Sequence, residues 1–253
     1  MVSPVCVGGS PIGGVPAALG YEVPSERAHA TVLETFESGI NFLDTSNNYG
    51  DGESERRIGK VLEDRGGLPE GFVLATKAER DSVTGDFSGE KVRRSAEESL
   101  GRLELERFQL YYLHDPECVT FAQATAPGRA VEAMVALREE GIAEHIGVAA
   151  GPVRLLLEFL DLEVFEVVLT HNRSTLVDRS AELLLDVAAA RGVGGGKCRR
   201  PWRRDPRAGD LVHRSVRLPD RLTRSAPADR RYGRGVPASW RAFAHGGAAV
   251  LAP

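Results

Sequence analysis

The chain reads as an α/β protein of the (β/α)8 TIM-barrel class, incomplete at its C-terminus. Three observations predict this. Short apolar runs alternate with segments of helical period from the N-terminus to about residue 192, and parallel strands require such crossovers. Polar residues able to do chemistry stand where successive strands end, the face on which a barrel builds its site. The early Gly8-Gly9-Ser10-Pro11-Ile12-Gly13-Gly14 lacks the Gly-x-Gly-x-x-Gly spacing of an open dinucleotide-binding sheet. A length of 253 residues suits one such barrel.

The elements follow in order. From Pro24 to Gly39 the pattern is helical: Ser25 can cap, Glu26 lies in the first turn, Ala28, Val32, Leu33 and Phe36 share a face, and Gly39 supplies a stop. Ile40 to Asp44 is a short buried strand. Next come a helix over 53–64, a strand from Phe72 to Thr76, a helix over 89–103 with Val92, Ala96, Leu100 and Leu103 on one side, and a strand from Phe108 to Leu113. A helix ending at Gly141, a strand at Ile146-Gly147-Val148, a helix from Leu155 to Leu160, a strand from Val164 to Leu169 and a helix from Asp178 to Ala190 continue the alternation. A seventh strand should start near Gly192.

The formal net charge of −4 argues against a partner held through phosphate charge, so no nucleic acid is expected. No apolar run is long enough to span a bilayer, and no membrane partner is expected. The N-terminus lacks the basic and apolar regions of a secretory signal. Cys6, Cys118 and Cys198 fit neither a disulfide framework nor a metal-ligand motif. The expectation is a cytoplasmic protein with no metal.

Asp44 closes the second strand, Tyr49 follows in its loop, Lys77 closes the third strand and His114 the fourth. Reducing a carbonyl by hydride needs a proton donor at the oxygen and groups that stabilise the developing alkoxide. A tyrosine hydroxyl is a poor acid or base near neutrality, but a neighbouring ammonium favours its phenolate. Lys77 is the candidate for that task, Asp44 is expected to pair with it and keep it charged, and His114 to donate to the substrate oxygen. Taken singly, Asp44 could be a turn former, Lys77 a surface charge, Tyr49 a loop aromatic and His114 a structural histidine. Four compatible types on consecutive strand ends make coincidence a poor explanation.

Gly39-Ile40-Asn41-Phe42-Leu43-Asp44-Thr45-Ser46-Asn47-Asn48-Tyr49-Gly50, followed by Glu53-Ser54-Glu55, resembles the Asp-Thr/Ser-x-x-Tyr-Gly signature of the aldo-keto reductases. Ala75-Thr76-Lys77 and Tyr112-Leu113-His114-Asp115 resemble that family's lysine and histidine segments. The resemblance implies a barrel in which this tetrad reduces carbonyls or oxidises alcohols with NADP or NAD and no metal, on a small-molecule aldehyde or sugar. The glycine-rich start and Thr170-His171-Asn172-Arg173 are most similar to the bacterial aldose dehydrogenases, the L-fucose and D-threo-aldose 1-dehydrogenase group. By that resemblance Asn172 meets the nicotinamide amide, backbone near Gly9 or Ser10 approaches the cofactor, and Asp44 lies beside it. Where many members carry a polar residue and Asn after the fifth strand, this chain has Ala149-Ala150-Gly151.

Beyond Gly194 the character changes. There is no Glu after Glu182 and one further lysine, Lys197, while arginines recur at Arg199-Arg200, Arg203-Arg204 and Arg230-Arg231. A basic tail for an acidic partner is one reading, but Trp202, Tyr232 and Trp240 form no stacking pattern. A frame-shifted stretch explains more. Read one nucleotide later, codons for Lys197 to Arg207 permit Ser/Asn-Ala-Ala-Ala-Pro-Gly-Gly-Gly-Ile-Leu-Ala, which resembles the seventh-strand segment of the aldose dehydrogenases. In the same frame Leu222 to Pro227 permits Ser-Pro-Glu-Ala-Leu, a capped helix start. The organisation expected is therefore a barrel over 1–195 and an out-of-frame tail over 196–253, with the eighth strand and last helix lost. The edges of strands one and seven would then lie open, and cofactor binding would weaken. The alternatives to an enzyme are a noncatalytic scaffold barrel and the inactive product of a shifted gene.

Overall fold

A computed structural model describes residues 2–14, 16, 20–198, 212–214 and 216–217, with only the backbone of Cys198 and the last two stretches described. Seven parallel strands alternate with helices in a curled sheet: β1 (Val5–Gly8), β2 (Phe42–Asp44), β3 (Val73–Ala78), β4 (Phe108–His114), β5 (Ala143–Ala150), β6 (Val167–His171) and β7 (Gly194–Cys198). The helices are α1 (Ser25–Glu37), α2 (Glu53–Arg65), α3 (Gly89–Leu103), α4 (Phe121–Thr125), α5 (Ala130–Glu139), α6 (Val153–Leu160) and α7 (Ala181–Ala190). Each strand pairs with its sequence neighbour, β1 with β2 through β6 with β7, the sequential order of a βα barrel.

The strands are buried on both faces, and their side chains split by parity. Cys6, Phe42, Ala75, Leu110, Tyr112, Ala149, Val167 and Leu169 form one cluster inside the curl of the sheet. Their neighbours Leu43, Leu74, Tyr111, Leu113, Val148 and Val168 pack outward in a larger cluster that also holds Val32, Ile58, Val92, Met134 and Phe159 from the helices. This alternation positions the site, because Asp44, Lys77, Glu79 and His114 share the inward parity of Phe42, Ala75 and Tyr112.

Two expected helix ends differ. Pro24, not Ser25, is the N-cap of α1, and the helix stops on Ser38 rather than through a left-handed Gly39. The Ser38 hydroxyl donates to the Thr35 carbonyl at 2.9 Å and accepts from the Ile40 N–H at 3.0 Å, so the end is satisfied without glycine. The α2–α3 contact has a steric reason: a Cβ on Gly59 would lie 1.9 Å from the Arg102 carbonyl oxygen, and only glycine permits that approach.

No parallel eighth strand follows β7 among the described residues. Instead β8 (Val212–Arg214) pairs antiparallel with β1, and β9 (Val216–Arg217) pairs antiparallel with β7. One short stretch thus meets the two edges that were expected to lie open, in a direction opposite to a barrel's eighth strand. Of the shifted-frame segments, Lys197 to Arg207 lies outside the described residues from Arg199 onward, and Leu222 to Pro227 lies outside them entirely.

Candidate functional site

Lys77 lies within β3, one residue before its end, and its side chain is only 1% exposed. Its Nζ donates to Asp44 Oδ2 at 2.9 Å, to the Thr45 carbonyl, and to Tyr49 Oη at 3.4 Å. Burial works against this cation, but the Asp44 carboxylate and the Tyr49 phenol outweigh it and hold the ammonium above the usual lysine range. Asp44 Oδ1 is buried with no hydrogen-bond partner among the described residues.

Tyr49 reaches this position through a tight turn. Its N–H donates to the Ser46 carbonyl and its own carbonyl accepts from the Ser54 N–H, each at 3.1 Å. Gly50 follows with φ of 63°, and a Cβ there would lie 2.2 Å from the Gly13 carbonyl oxygen. The turn is therefore pressed against the glycine-rich loop after β1, which requires glycine on conformational and steric grounds.

The residues around the tetrad lock that loop. Gly9 N–H donates to the Asp44 carbonyl at 2.7 Å, and Ser54 Oγ donates to the Gly9 carbonyl at 2.8 Å while lying 2.8 Å from Thr45 Oγ1. Glu55, fully buried, accepts from Thr76 Oγ1 at 2.5 Å and from Arg102 Nη1 at 3.2 Å. Burial raises the Glu55 carboxyl above its ordinary value, against the opposing hydrogen bonds. The Glu53-Ser54-Glu55 segment of the signature is thus a structural brace beneath the catalytic candidates.

His114 ends β4 and faces Tyr49 edge to face, with ring centroids 6.2 Å apart. Its Nδ1 is hydrogen-bonded to Glu79 Oε1, and the same oxygen accepts from Ser46 Oγ at 2.7 Å. His114 Nε2 lies 3.6 Å from Asp115 Oδ1. Reading the sequence did not single out Glu79. Its signal was available: it stands two residues past Lys77, on the same inward parity.

The expected cofactor contacts are spread more widely. Gly9 touches the tetrad through Asp44, and Ser10 opens the 3-10 turn over Pro11–Gly13 beside it. Asn172 lies one residue past β6, exposed, with φ of 59°. Ala149 and Ala150 are buried, and the Gly151 N–H donates to Glu117 Oε1 at 3.0 Å. Asp115, Glu117 and His171 bring potential metal-ligand atoms within 4.8 Å of one another. His171 Nε2 lies 3.8 Å from Asp115 Oδ1, so the cluster has internal polar contacts.

The comparisons with known proteins agree with this geometry. The aldo/keto reductase family pattern matches residues 4–195. L-galactose dehydrogenase of Arabidopsis thaliana is 35% identical over 201 residues, covering 76% of this chain and 60% of that protein. D-threo-aldose 1-dehydrogenase of a Pseudomonas species is 28% identical over 194 residues, covering 67% of this chain and 58% of that protein. The chain therefore spans less than two thirds of the length of these relatives. Among solved structures, the holo form of an aldo-keto reductase from Bacillus halodurans superposes with a TM-score of 0.64 at 25% identity, covering 91% of this chain and 75% of that one. A buried Asp–Lys pair against Tyr49 with a histidine at the next strand end, on seven parallel strands and their crossover helices, accompanies a family match over most of the chain: it belongs to the aldo/keto reductases.

Proposed function

We propose that this site serves an NAD(P)-dependent oxidoreductase acting at the carbonyl or hemiacetal carbon of a small aldehyde or aldose, with Tyr49 as proton donor and acceptor. The observation that carries the reading is the buried Lys77 ammonium, 2.9 Å from Asp44 Oδ2 and 3.4 Å from Tyr49 Oη. By reciprocity the Lys77 ammonium favours negative charge on the Tyr49 oxygen, the form that takes a proton from an alcohol. Asp44 prevents Lys77 from standing as an uncompensated buried cation. The four candidates from the sequence, Asp44, Tyr49, Lys77 and His114, take the roles of charge partner, proton carrier, polarising cation and substrate-oxygen contact.

A nicotinamide cofactor supplies or accepts the hydride when bound. The residues present fit such a group: the orphaned Asp44 Oδ1 is an acceptor within the tetrad, the Gly9-Ser10 backbone rims the site, and Asn172 stands at the β6 end. NADP and NAD remain equal candidates. Cys118 is an exposed cysteine outside any disulfide, which fits a reducing, cytoplasmic setting, and no described helix is long and apolar enough to cross a membrane.

A second reading, an inactive product of a shifted gene, is supported by the antiparallel pairings of 212–214 and 216–217 where a parallel eighth strand belongs. Assay of the protein and of Tyr49→Phe with a panel of aldoses and either cofactor tests the first reading. Loss of turnover by about 10²-fold or more in Tyr49→Phe is expected; equal rates would rule out the tyrosine mechanism.

A further inference from the structure

We propose that Glu79 is a positioning residue for His114, fixing the ring with its proton on Nδ1 and leaving Nε2 as the nitrogen open to a substrate oxygen. The inference deepens the hydride-transfer reading and rests on it for its catalytic consequence, though not for its structural one. Three features carry it. Glu79 is buried, with its side chain exposed to only 8%, and its Oε1 contacts His114 Nδ1. That same oxygen also accepts from Ser46 Oγ at 2.7 Å, so Oε1 already stands as an acceptor toward the cleft, the role a carboxylate oxygen takes beside an imidazole N–H. The Glu79 backbone is anchored in turn, its N–H donating to Ser95 Oγ on α3 at 3.1 Å.

An ionised carboxylate only accepts, so the His114 nitrogen facing it must carry hydrogen, as in other carboxylate–imidazole pairs. The neutral ring then presents a bare lone pair at Nε2. Such a nitrogen accepts from an alcohol hydroxyl but cannot donate to a carbonyl. Donation to a carbonyl oxygen requires the doubly protonated ring, which Glu79 on one side and Asp115, 3.6 Å from Nε2, on the other would flank with carboxylates. Tyr49 faces the ring edge to face, and Lys77 stands beyond Tyr49. The simple expectation that His114 donates to the substrate is thereby replaced by a directional one. The neutral ring holds the incoming alcohol through its one hydroxyl hydrogen, which must turn to the Tyr49 oxygen before hydride leaves, and the charged ring donates to the carbonyl of reduction.

The test is the nitrogen NMR spectrum of the full chain labelled with 15N-histidine, with His114 identified by its loss in His114→Gln. In the neutral ring, a pyrrole-type shift at Nδ1 and a pyridine-type shift at Nε2 are expected. Glu79→Gln, whose amide oxygen can still accept, retains that pattern, while Glu79→Ala loses or reverses it. A proton on Nε2 in the unmutated protein overturns the proposal, and that spectrum decides even if Glu79→Ala fails to fold. In turnover, Glu79→Ala lowers kcat/KM for alcohol oxidation on the order of 10²-fold, with Glu79→Gln partly restoring it. The expected spectrum from a protein without Tyr49-dependent turnover would sustain the tautomer and refute hydride transfer, so the two failures are distinguishable.

Discussion

Lys77 concentrates the physical logic of the site in one side chain. It is buried with three acceptors around it, Asp44 Oδ2, the Thr45 carbonyl and Tyr49 Oη. Removing a buried cation strands its partner, which costs more than the pair contributes. Lys77→Met is expected to destabilise the protein by about 3–5 kcal/mol through the uncompensated Asp44 carboxylate. Adding Asp44→Asn should recover part of that loss, and urea denaturation of the single and double variants measures both. At this scale the sequence was largely legible, since Asp44, Tyr49, Lys77 and His114 were identifiable by type and strand-end position. Glu79 was not, because a carboxylate in a loop has no local signature and acquires meaning only when parity and strand pairing bring it against His114.

The elements show why braces are harder to read than catalytic candidates. Glu55 looked like part of a signature followed by an amphipathic helix, yet it is buried against Thr76 of β3 and Arg102 of α3. Its carboxyl is raised from an ordinary value of 4.5 chiefly by burial. A carboxyl raised in the folded state contributes stability below its unfolded value, and the contribution is lost as pH rises through the folded one. Stability should therefore decline upward from about pH 4.5 across that window, and Glu55→Gln, which still accepts from Thr76, should flatten the decline. Thermal midpoints of both proteins from pH 4 to 8 check this; identical profiles would remove Glu55 as the cause. The order of strands and helices over 24–190 agrees with the sequence pattern, because apolar period sets element type. The ends agreed less well: β5 begins at Ala143 rather than Ile146, and α1 stops on the Ser38 hydroxyl rather than on glycine. Side-chain hydrogen bonds and strand partners, absent from periodicity, decide those boundaries.

The whole molecule divides according to what its composition can support. Through Gly194 the alternation gives seven parallel strands, and the family pattern runs to residue 195. A parallel barrel has no edge only when its eighth strand pairs with both the first and the seventh. Here the arginine-rich stretch supplies two short antiparallel pairings, three residues with β1 and two with β7. We attribute the change after residue 195 to a shifted reading frame. Nucleotide sequencing across codons 190–200 is expected to reveal a +1 frame continuing the barrel, and an intact frame with no such continuation refutes it. That shift also predicts weak cofactor binding by the chain as it stands, because the strand and helix encoded in the +1 frame would complete the wall of the site.

The central claim is that the tetrad is a hydride-transfer site. Its most direct measurement is the absorbance at about 340 nm of the reduced nicotinamide formed from an aldose panel, by the protein with its codons after residue 195 restored to the +1 frame and by the same protein carrying Tyr49→Phe. Turnover in the restored protein and its loss by about 10²-fold or more in Tyr49→Phe is the result predicted. Equal rates in the two, or no turnover by the restored protein with any sugar and either cofactor, would contradict it.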